Sequence, residues 1–143
     1  MSTIKSISIV VPVRNEAACI EAQLQRLQAY RSRGHELIVI DGGSLDDTVQ
    51  LTTGLVDSCA SGESGRSRQM NQGAASARGD VLLFLHADTE LPEDADQLII
   101  EALAAQGSRW GWFDVRLSNP GRPYRMVGGM MNLRSRLTSV CTG

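Results

Sequence analysis

Three short polar groups follow apolar, strand-like runs, and their residue types could do chemistry. They are Arg14-Asn15-Glu16, Asp41-Gly42-Gly43-Ser44 and His86-Ala87-Asp88. A carboxylate such as Asp41 after a strand can accept hydrogen bonds from a nucleobase or a ribose, and Asp88 is a hard ligand of the kind that suits Mg²⁺ or Mn²⁺ between two phosphates. One such acid alone is more often a helix cap or a solvated charge. The recurrence of polar groups after three runs therefore indicates a ligand site.

The elements that would position these groups follow from the apolar pattern. β-branched or continuous apolar runs predict strands over 7–11, 36–40 and 81–85, the last buried on both faces. Apolar spacing and end signals predict helices over 16–29, 45–53, 66–77 and 93–105, with a capping box from Ser44 to Asp47 starting the second. Weaker patterns favour strands over 55–59 and 110–117, a loop over 60–65 and a helix over 127–137. Strands that alternate with helices predict an α/β domain with a largely parallel sheet, whose carboxyl edge binds ligands.

Composition narrows the class of protein. The chain has 143 residues, 42% of them hydrophobic, and a formal net charge of −2, which argues against disorder and against a general nucleic-acid binder. No apolar run approaches the length of a membrane-spanning helix, and the N-terminus lacks the layout of a signal peptide. We therefore expect a cytoplasmic protein and leave peripheral membrane contact open. Cys19, Cys59 and Cys141 are widely spaced, which predicts reduced and mostly buried thiols.

Two segments together carry a family resemblance. The chain resembles the nucleotide-binding N-terminal part of glycosyltransferase family 2 in Ser8-Ile9-Val10-Val11-Pro12-Val13-Arg14-Asn15-Glu16 and in the run from Glu36 to Thr48. Residues 65–74 and 77–89 are similar to a narrower bacterial subgroup of unknown acceptor. The resemblance covers nearly the whole chain and implies a GT-A fold. We therefore expect a Rossmann-like, mostly parallel sheet flanked by helices, which is incomplete in this chain.

The resemblance also implies an activity and a set of site residues. It implies inverting transfer of a sugar from a nucleotide-diphospho-sugar, with a UDP-sugar favoured, assisted by Mn²⁺ or Mg²⁺. Asp88 matches the last acid of the metal-binding DXD motif, but His86 replaces the first acid, and the Asp41 turn lacks a second acid found in many members. The expected nucleotide-binding residues are Pro12, Arg14, Glu16, Asp41, Gly43, Arg66, Gln69 and Asn71.

The resemblance further divides the chain into a nucleotide-sugar-binding domain over 1–117 and the truncated start of an acceptor-side region over 118–143. The general base of the family lies downstream, so we expect this chain to bind nucleotide without transferring sugar, with Asp114 a weak candidate base. Exposed apolar residues such as Val127 and Met130 would favour self-association or a membrane-facing surface. A non-catalytic nucleotide-sugar-binding module remains an alternative. A nucleotidyltransferase is a weaker one, because Arg14-Asn15-Glu16 is not a glycine-rich basic loop.

Overall fold

The computed structural model describes residues 4–106, 110–114, 117, 118, 130 and 132. Residues 1–105 and 106–143 form two compact units. None of the helices in the described ranges is long and apolar enough to cross a membrane. The elements follow in the order β1 (Ile7–Val13), α1 (Ile20–Ser32), β2 (Glu36–Asp41), α2 (Thr48–Leu51), β3 (Ser58–Ser61), α3 (Arg66–Ser76), β4 (Val81–Phe84) and α4 (Ala95–Gln106).

The four strands form one sheet in the order β3-β2-β1-β4, and every pair of neighbours is parallel. Ser8 lies opposite Glu36 on β2, and Ile7 lies opposite Val81 on β4. This confirms the predicted α/β class. Because parallel strands end at the same edge, the residues that follow β1, β2 and β4 come together at the carboxyl end of the sheet.

Helices cover the central strands β1 and β2 on both faces. On one face, Leu24 and Leu27 of α1 pack in a cluster with Ile9 and Leu37. On the other face α3 lies close to the strands, and a Cβ at Gly73 would overlap the side chain of Val10. Gln69, near the start of α3, bonds to the carbonyl of Val13 at the end of β1, so the N-terminus of α3 lies at the carboxyl edge of the sheet.

The prediction that both faces of 81–85 are buried is wrong. Leu82 is 42% exposed and Phe84 is 45% exposed, whereas Val81 and Leu83 pack against the core. Among the described residues β4 is an edge strand, and α3 covers β1 and β2 beside it. A continuous apolar run predicts a strand, but it does not predict where that strand lies in the sheet.

The second predicted helix is much shorter than expected and begins by a different device. The capping box does not form, because the hydroxyl of Ser44 donates to Asp41. The carboxylate of Asp46 instead accepts the Thr48 N–H, and Asp47 occupies the N-cap position without a side-chain hydrogen bond. Similarly, α1 begins at Ile20 and not at Glu16, because residues 17–19 form a turn in which the Glu16 carbonyl accepts the N–H of Cys19 and of Ile20.

The strand β3 spans the end of the predicted strand 55–59 and the start of the predicted loop 60–65. Its side chains are small or polar and all exposed, so the apolar pattern carries little signal for it. Cys59 lies on this edge strand and is exposed, contrary to the prediction of mostly buried thiols, whereas Cys19 is half-buried; both are free. Cys141 lies outside the described residues.

In the second unit, residues 110–114 are not in a strand, so the predicted strand over 110–117 is wrong for that stretch. Gly111 raises the entropic cost of an extended segment there. The rings of Trp110 and Trp112 still pack together with centroids 5.3 Å apart, and both side chains are exposed. Most of the predicted helix over 127–137, with Val127, lies outside the described residues, although Met130 and Asn132 are helical. The domain boundary at 117 stays a prediction.

Candidate functional site

A cavity of about 320 Å³ opens at the carboxyl edge of the sheet, a volume at the lower end of the usual range for small-molecule sites. One wall comes from the end of β1 and the residues after it, and the other from the start of α3. Five of the expected nucleotide-binding residues contribute to this cavity. Its lining consists of Pro12, Val13, Arg14, Glu16, Ser64, Gly65, Arg66 and Gln69.

Two arginines give the cavity its positive charge. Nη1 of Arg14 donates to Oγ of Ser64 at 2.6 Å, which connects the loop after β1 to the loop before α3. Arg66 is the first residue of α3, and the N-cap residue Gly65 has a φ of +133° that favours glycine. Because no side chain caps this helix N-terminus, its N–H groups add a favourable field for an anion. With Glu16 as the acid in the lining, the arginines leave a net positive charge.

Gln69 is buried and acts as a clamp between elements. Its Nε2 donates to the carbonyl of Val13 at 2.9 Å and to the carbonyl of Ile40 at 2.8 Å. These carbonyls lie at the ends of β1 and β2, so the amide satisfies two strand ends and holds α3 against them. A Cβ at Gly42 would lie 2.8 Å from Oε1 of Gln69, so Gly42 provides the space for this side chain.

Asp41 is buried at the end of β2 and closes its own turn. Its carboxylate accepts hydrogen bonds from the N–H of Gly43, the N–H of Ser44 and, at 2.5 Å, the hydroxyl of Ser44. Gly43 is exposed with a φ of +88°, which requires the conformational freedom of glycine. Asp41, Gly43 and the exposed Asn71 of α3 lie outside the lining of the cavity.

His86 and Asp88 follow β4, the neighbour of β1 in the sheet, and their electrostatics connect them to the cavity residues. Burial lowers the pKa of His86, and the positive charge of Arg66 lowers it further, while Asp88 opposes both. Burial also raises the pKa of the Cys19 thiol; the hydrogen bond to Glu16 and the negative charges of Glu16 and Asp88 add to this rise. Arg66, Glu16, His86 and Asp88 therefore share one electrostatic environment.

Asp88 is an exposed hard carboxylate, as a site shared with a ligand phosphate would need. It accepts a long hydrogen bond of 3.4 Å from the hydroxyl of Thr89. The described residues contain no group of three His, Cys, Asp or Glu side chains that could hold a metal ion by themselves. A divalent cation at Asp88 would therefore need further oxygen ligands from a bound molecule or from water.

Side chains that sequence reasoning assigned no binding role join the loops beside the cavity. Four such side chains connect residues 15–17, after β1, to the residues after β2: those of Asn15, Ser44, Asp46 and Thr48. The one signal in the sequence was the density of Asn, Ser, Asp and Thr after two neighbouring strands.

Residues 8–138 match the sequence family described as glycosyl transferase family 2, and the chain belongs to this family. It is 36% identical over 121 residues to an uncharacterized glycosyltransferase of Mycobacterium tuberculosis, which covers 78% of this chain and 46% of the relative. It is 33% identical over 115 residues to the undecaprenyl-phosphate 4-deoxy-4-formamido-L-arabinose transferase of Aeromonas hydrophila, covering 73% of this chain and 35% of the relative. The chain thus spans less than half the length of these relatives.

The fold matches as well. The glucosyl-3-phosphoglycerate synthase of Mycobacterium tuberculosis, solved with Mn²⁺, UDP and glucosyl-3-phosphoglycerate, superimposes with a TM-score of 0.61 at 25% identity. The match covers 71% of this chain and 40% of the synthase. The GT-A, Rossmann-like class expected from the sequence is therefore confirmed for this chain, which represents part of such a fold.

Proposed function

We propose that this chain is the donor-binding part of an inverting glycosyltransferase that uses a nucleotide-diphospho-sugar, with a UDP-sugar favoured. The observation that carries the proposal is the cavity at the carboxyl edge of the sheet, in which Arg14 and Glu16 from the loop after β1 converge with Arg66 from the start of α3. Family membership supports the transferase class, and the synthase solved with UDP supports the nucleotide.

Arg14 and Arg66 bind the diphosphate in this proposal. Guanidinium groups form strong charge-assisted hydrogen bonds with phosphate oxygens, and the uncapped N-terminus of α3 adds its dipole at the same place. The carboxylate of Glu16 faces the same cavity and accepts hydrogen bonds from the ribose hydroxyls or the base. Pro12 contributes an apolar surface to the wall of the cavity.

Asp41 and Gln69 contribute to this site by fixing backbone. Asp41 holds the turn after β2, and Gln69 holds the ends of β1 and β2 at a set distance from α3. Asp41 also adds a negative charge near the cavity, which favours the N–H of a base over a second phosphate. Gly43 allows the turn to close, and Asn71 serves as an outer contact on the exposed side of α3.

Asp88 would hold a divalent cation, Mn²⁺ or Mg²⁺. When bound, this cation supplies neutralisation of the charge that develops on the leaving diphosphate. His86 lies two residues away and orients Asp88 or the phosphate. Arg66, the first residue of α3, stabilises the same departing charge.

Isothermal titration calorimetry of the 143-residue chain with UDP, with and without Mn²⁺, tests the proposal. We expect UDP to bind more tightly with Mn²⁺ than without it. Asp88→Ala should abolish most of the metal-dependent gain, at least tenfold in affinity, because it removes the protein's carboxylate ligand. Affinity without metal should rise slightly, because the variant removes a negative charge that repels the diphosphate.

Asp94→Ala is the matched control, since Asp94 is an exposed acid that follows the same strand but lies in the turn directly before α4. It removes the same charge and should leave the Mn²⁺-dependent gain intact. Equal losses in both variants would assign the effect to net charge and would remove Asp88 from the site. Failure of the wild-type chain to bind either UDP or GDP would contradict the proposed function.

A further inference from the structure

Three consecutive backbone N–H groups after β1 are bonded to side chains that follow β2, two in the loop and one at the first residue of α2. The N–H of Asn15 donates to Oγ of Ser44 at 2.8 Å, that of Glu16 to Oγ1 of Thr48 at 2.8 Å, and that of Ala17 to Oδ2 of Asp46 at 3.1 Å. Successive N–H groups of this kind form a concave donor set that can bind anions. Here the protein fills it with its own oxygens.

Asn15 closes the connection in the opposite direction. Its Oδ1 accepts the N–H of Leu45 at 2.8 Å, while its own N–H donates to Ser44. Its φ of +55° lies in the left-handed region, where asparagine is one of the few residues other than glycine that is readily accommodated. The connection between the two loops therefore depends on both the backbone conformation and the amide side chain of Asn15.

The hydroxyl of Ser44 transmits this connection to Asp41. It accepts the N–H of Asn15 and donates to Oδ1 of Asp41. Thr48 repeats the arrangement, because its hydroxyl accepts the N–H of Glu16 and donates to the carboxylate of Asp46. Each hydroxyl thus joins the backbone after β1 to a carboxylate after β2.

We propose that Asn15 is a positioning residue, an inference that rests on the proposed function. It joins these two loops into one rigid unit and thereby holds Arg14 and Glu16 in the positions that bind the nucleotide. Its immediate neighbours Arg14 and Glu16 line the cavity, whereas Asn15 itself does not. Loss of its amide frees the Leu45 N–H and leaves the cavity walls less well ordered before binding. Part of the binding free energy must then be used to order them.

Three substitutions separate the amide from the backbone conformation. Asn15→Gly keeps the positive φ but removes the side-chain acceptor. Asn15→Ala removes the acceptor and also strains the backbone. Asn15→Asp keeps an acceptor and tolerates the left-handed region. Amide hydrogen exchange measured by NMR without nucleotide reports directly on the Leu45 N–H. Calorimetry with UDP and Mn²⁺ reports on the consequence for binding.

We expect Leu45 to lose its exchange protection in Asn15→Gly and to regain it in Asn15→Asp, with global unfolding of both close to that of the wild type. UDP affinity should fall about three- to tenfold in Asn15→Gly, the loss of about one hydrogen bond. Asn15→Asp should recover affinity at high salt, which screens its added charge. Unchanged protection of Leu45 in Asn15→Gly, or unchanged UDP affinity with protection lost, overturns the proposal. A wild-type chain that protects Leu45 but binds no UDP contradicts the proposed function and leaves the loop connection standing.

Discussion

The two ends of the sheet use similar residues in opposite ways. At the amino end, the carboxylate of Asp80 accepts the N–H of Lys5 and of Ser6, and Glu36 accepts the hydroxyl of Ser8 and the guanidinium of Arg78. At the carboxyl end, Asp88 is exposed and Arg66 stands at an uncapped helix N-terminus. Charges that are paired within the protein stabilise the fold, whereas charges that lie open around a cavity can bind a ligand.

The strongest test of this comparison is at the amino end, where Asp96 of α4 is 4% exposed. It accepts hydrogen bonds from Nε of Arg33 at 2.6 Å and from His35, whose Nδ1 in turn accepts the N–H of Ile7. Asp96→Asn should lower the free energy of unfolding by about 2–3 kcal/mol, because the guanidinium loses its charged partner. Urea unfolding measures this loss, and UDP affinity at a temperature where the variant is folded should be unchanged. A loss of affinity comparable to that of a cavity variant would contradict the division between the two ends.

The same carboxylate gives a pH dependence of stability. Burial alone would raise the pKa of Asp96, but the hydrogen bonds from Arg33 and His35 outweigh it and lower the pKa from its ordinary value of 3.8 to about 2. Since the folded pKa lies below the unfolded one, the stabilisation is complete above about pH 4 and is lost as the pH falls toward 2. The wild type should lose about 2 kcal/mol over this interval through Asp96. Asp96→Asn should show a correspondingly shallower loss.

A smaller effect is expected at Asp41, an acid at the carboxyl end that is nevertheless paired. Asp41→Asn keeps one acceptor for the Gly43 and Ser44 turn but places an NH₂ group against the remaining donors. We expect UDP affinity to fall about tenfold, equally with and without Mn²⁺, and stability to fall by about 1 kcal/mol. Equal affinity of variant and wild type would mean that the turn does not influence the cavity. A loss confined to the Mn²⁺ condition would instead assign Asp41 to the metal.

The sequence predicted the central elements of the fold because their signals are local. β-branched runs identified β1 and β2, and the residue types after them identified Arg14 and Glu16 as site residues that do line the cavity. The exposure of β4 was not predictable, because it depends on which strands lie beside it. The short elements α2 and β3 were predicted with shifted bounds, since side-chain hydrogen bonds and edge pairing define them.

The residue types of the candidate site were predictable, but the hydrogen bonds that connect them were not. Gln69 was expected to face the nucleotide, yet its amide nitrogen is bonded to carbonyls far away in the chain, at Val13 and Ile40. The contacts of Asn15 with Ser44 and Leu45 likewise join residues 29 and 30 positions apart. Such contacts arise only when parallel strands bring their ends together, so no local pattern encodes them.

The smallest expected effect, and the sharpest test of the carboxyl end, concerns His86. It is a half-buried imidazole whose pKa is lowered by burial and by Arg66, so it stands near Asp88 without adding a positive charge at neutral pH. His86→Asp places a second hard carboxylate two residues from the first, which favours Mn²⁺ and Mg²⁺. We expect the Mn²⁺-dependent gain in UDP affinity to rise about threefold, with metal-free affinity lowered by the added negative charge. His86→Asn, which has neither charge nor a second carboxylate, should change the Mn²⁺-dependent gain less than His86→Asp does. If His86→Asp and His86→Asn lose the gain alike, then the imidazole itself makes a contact that neither replacement can make, and the open charges at this end would include a nitrogen ligand.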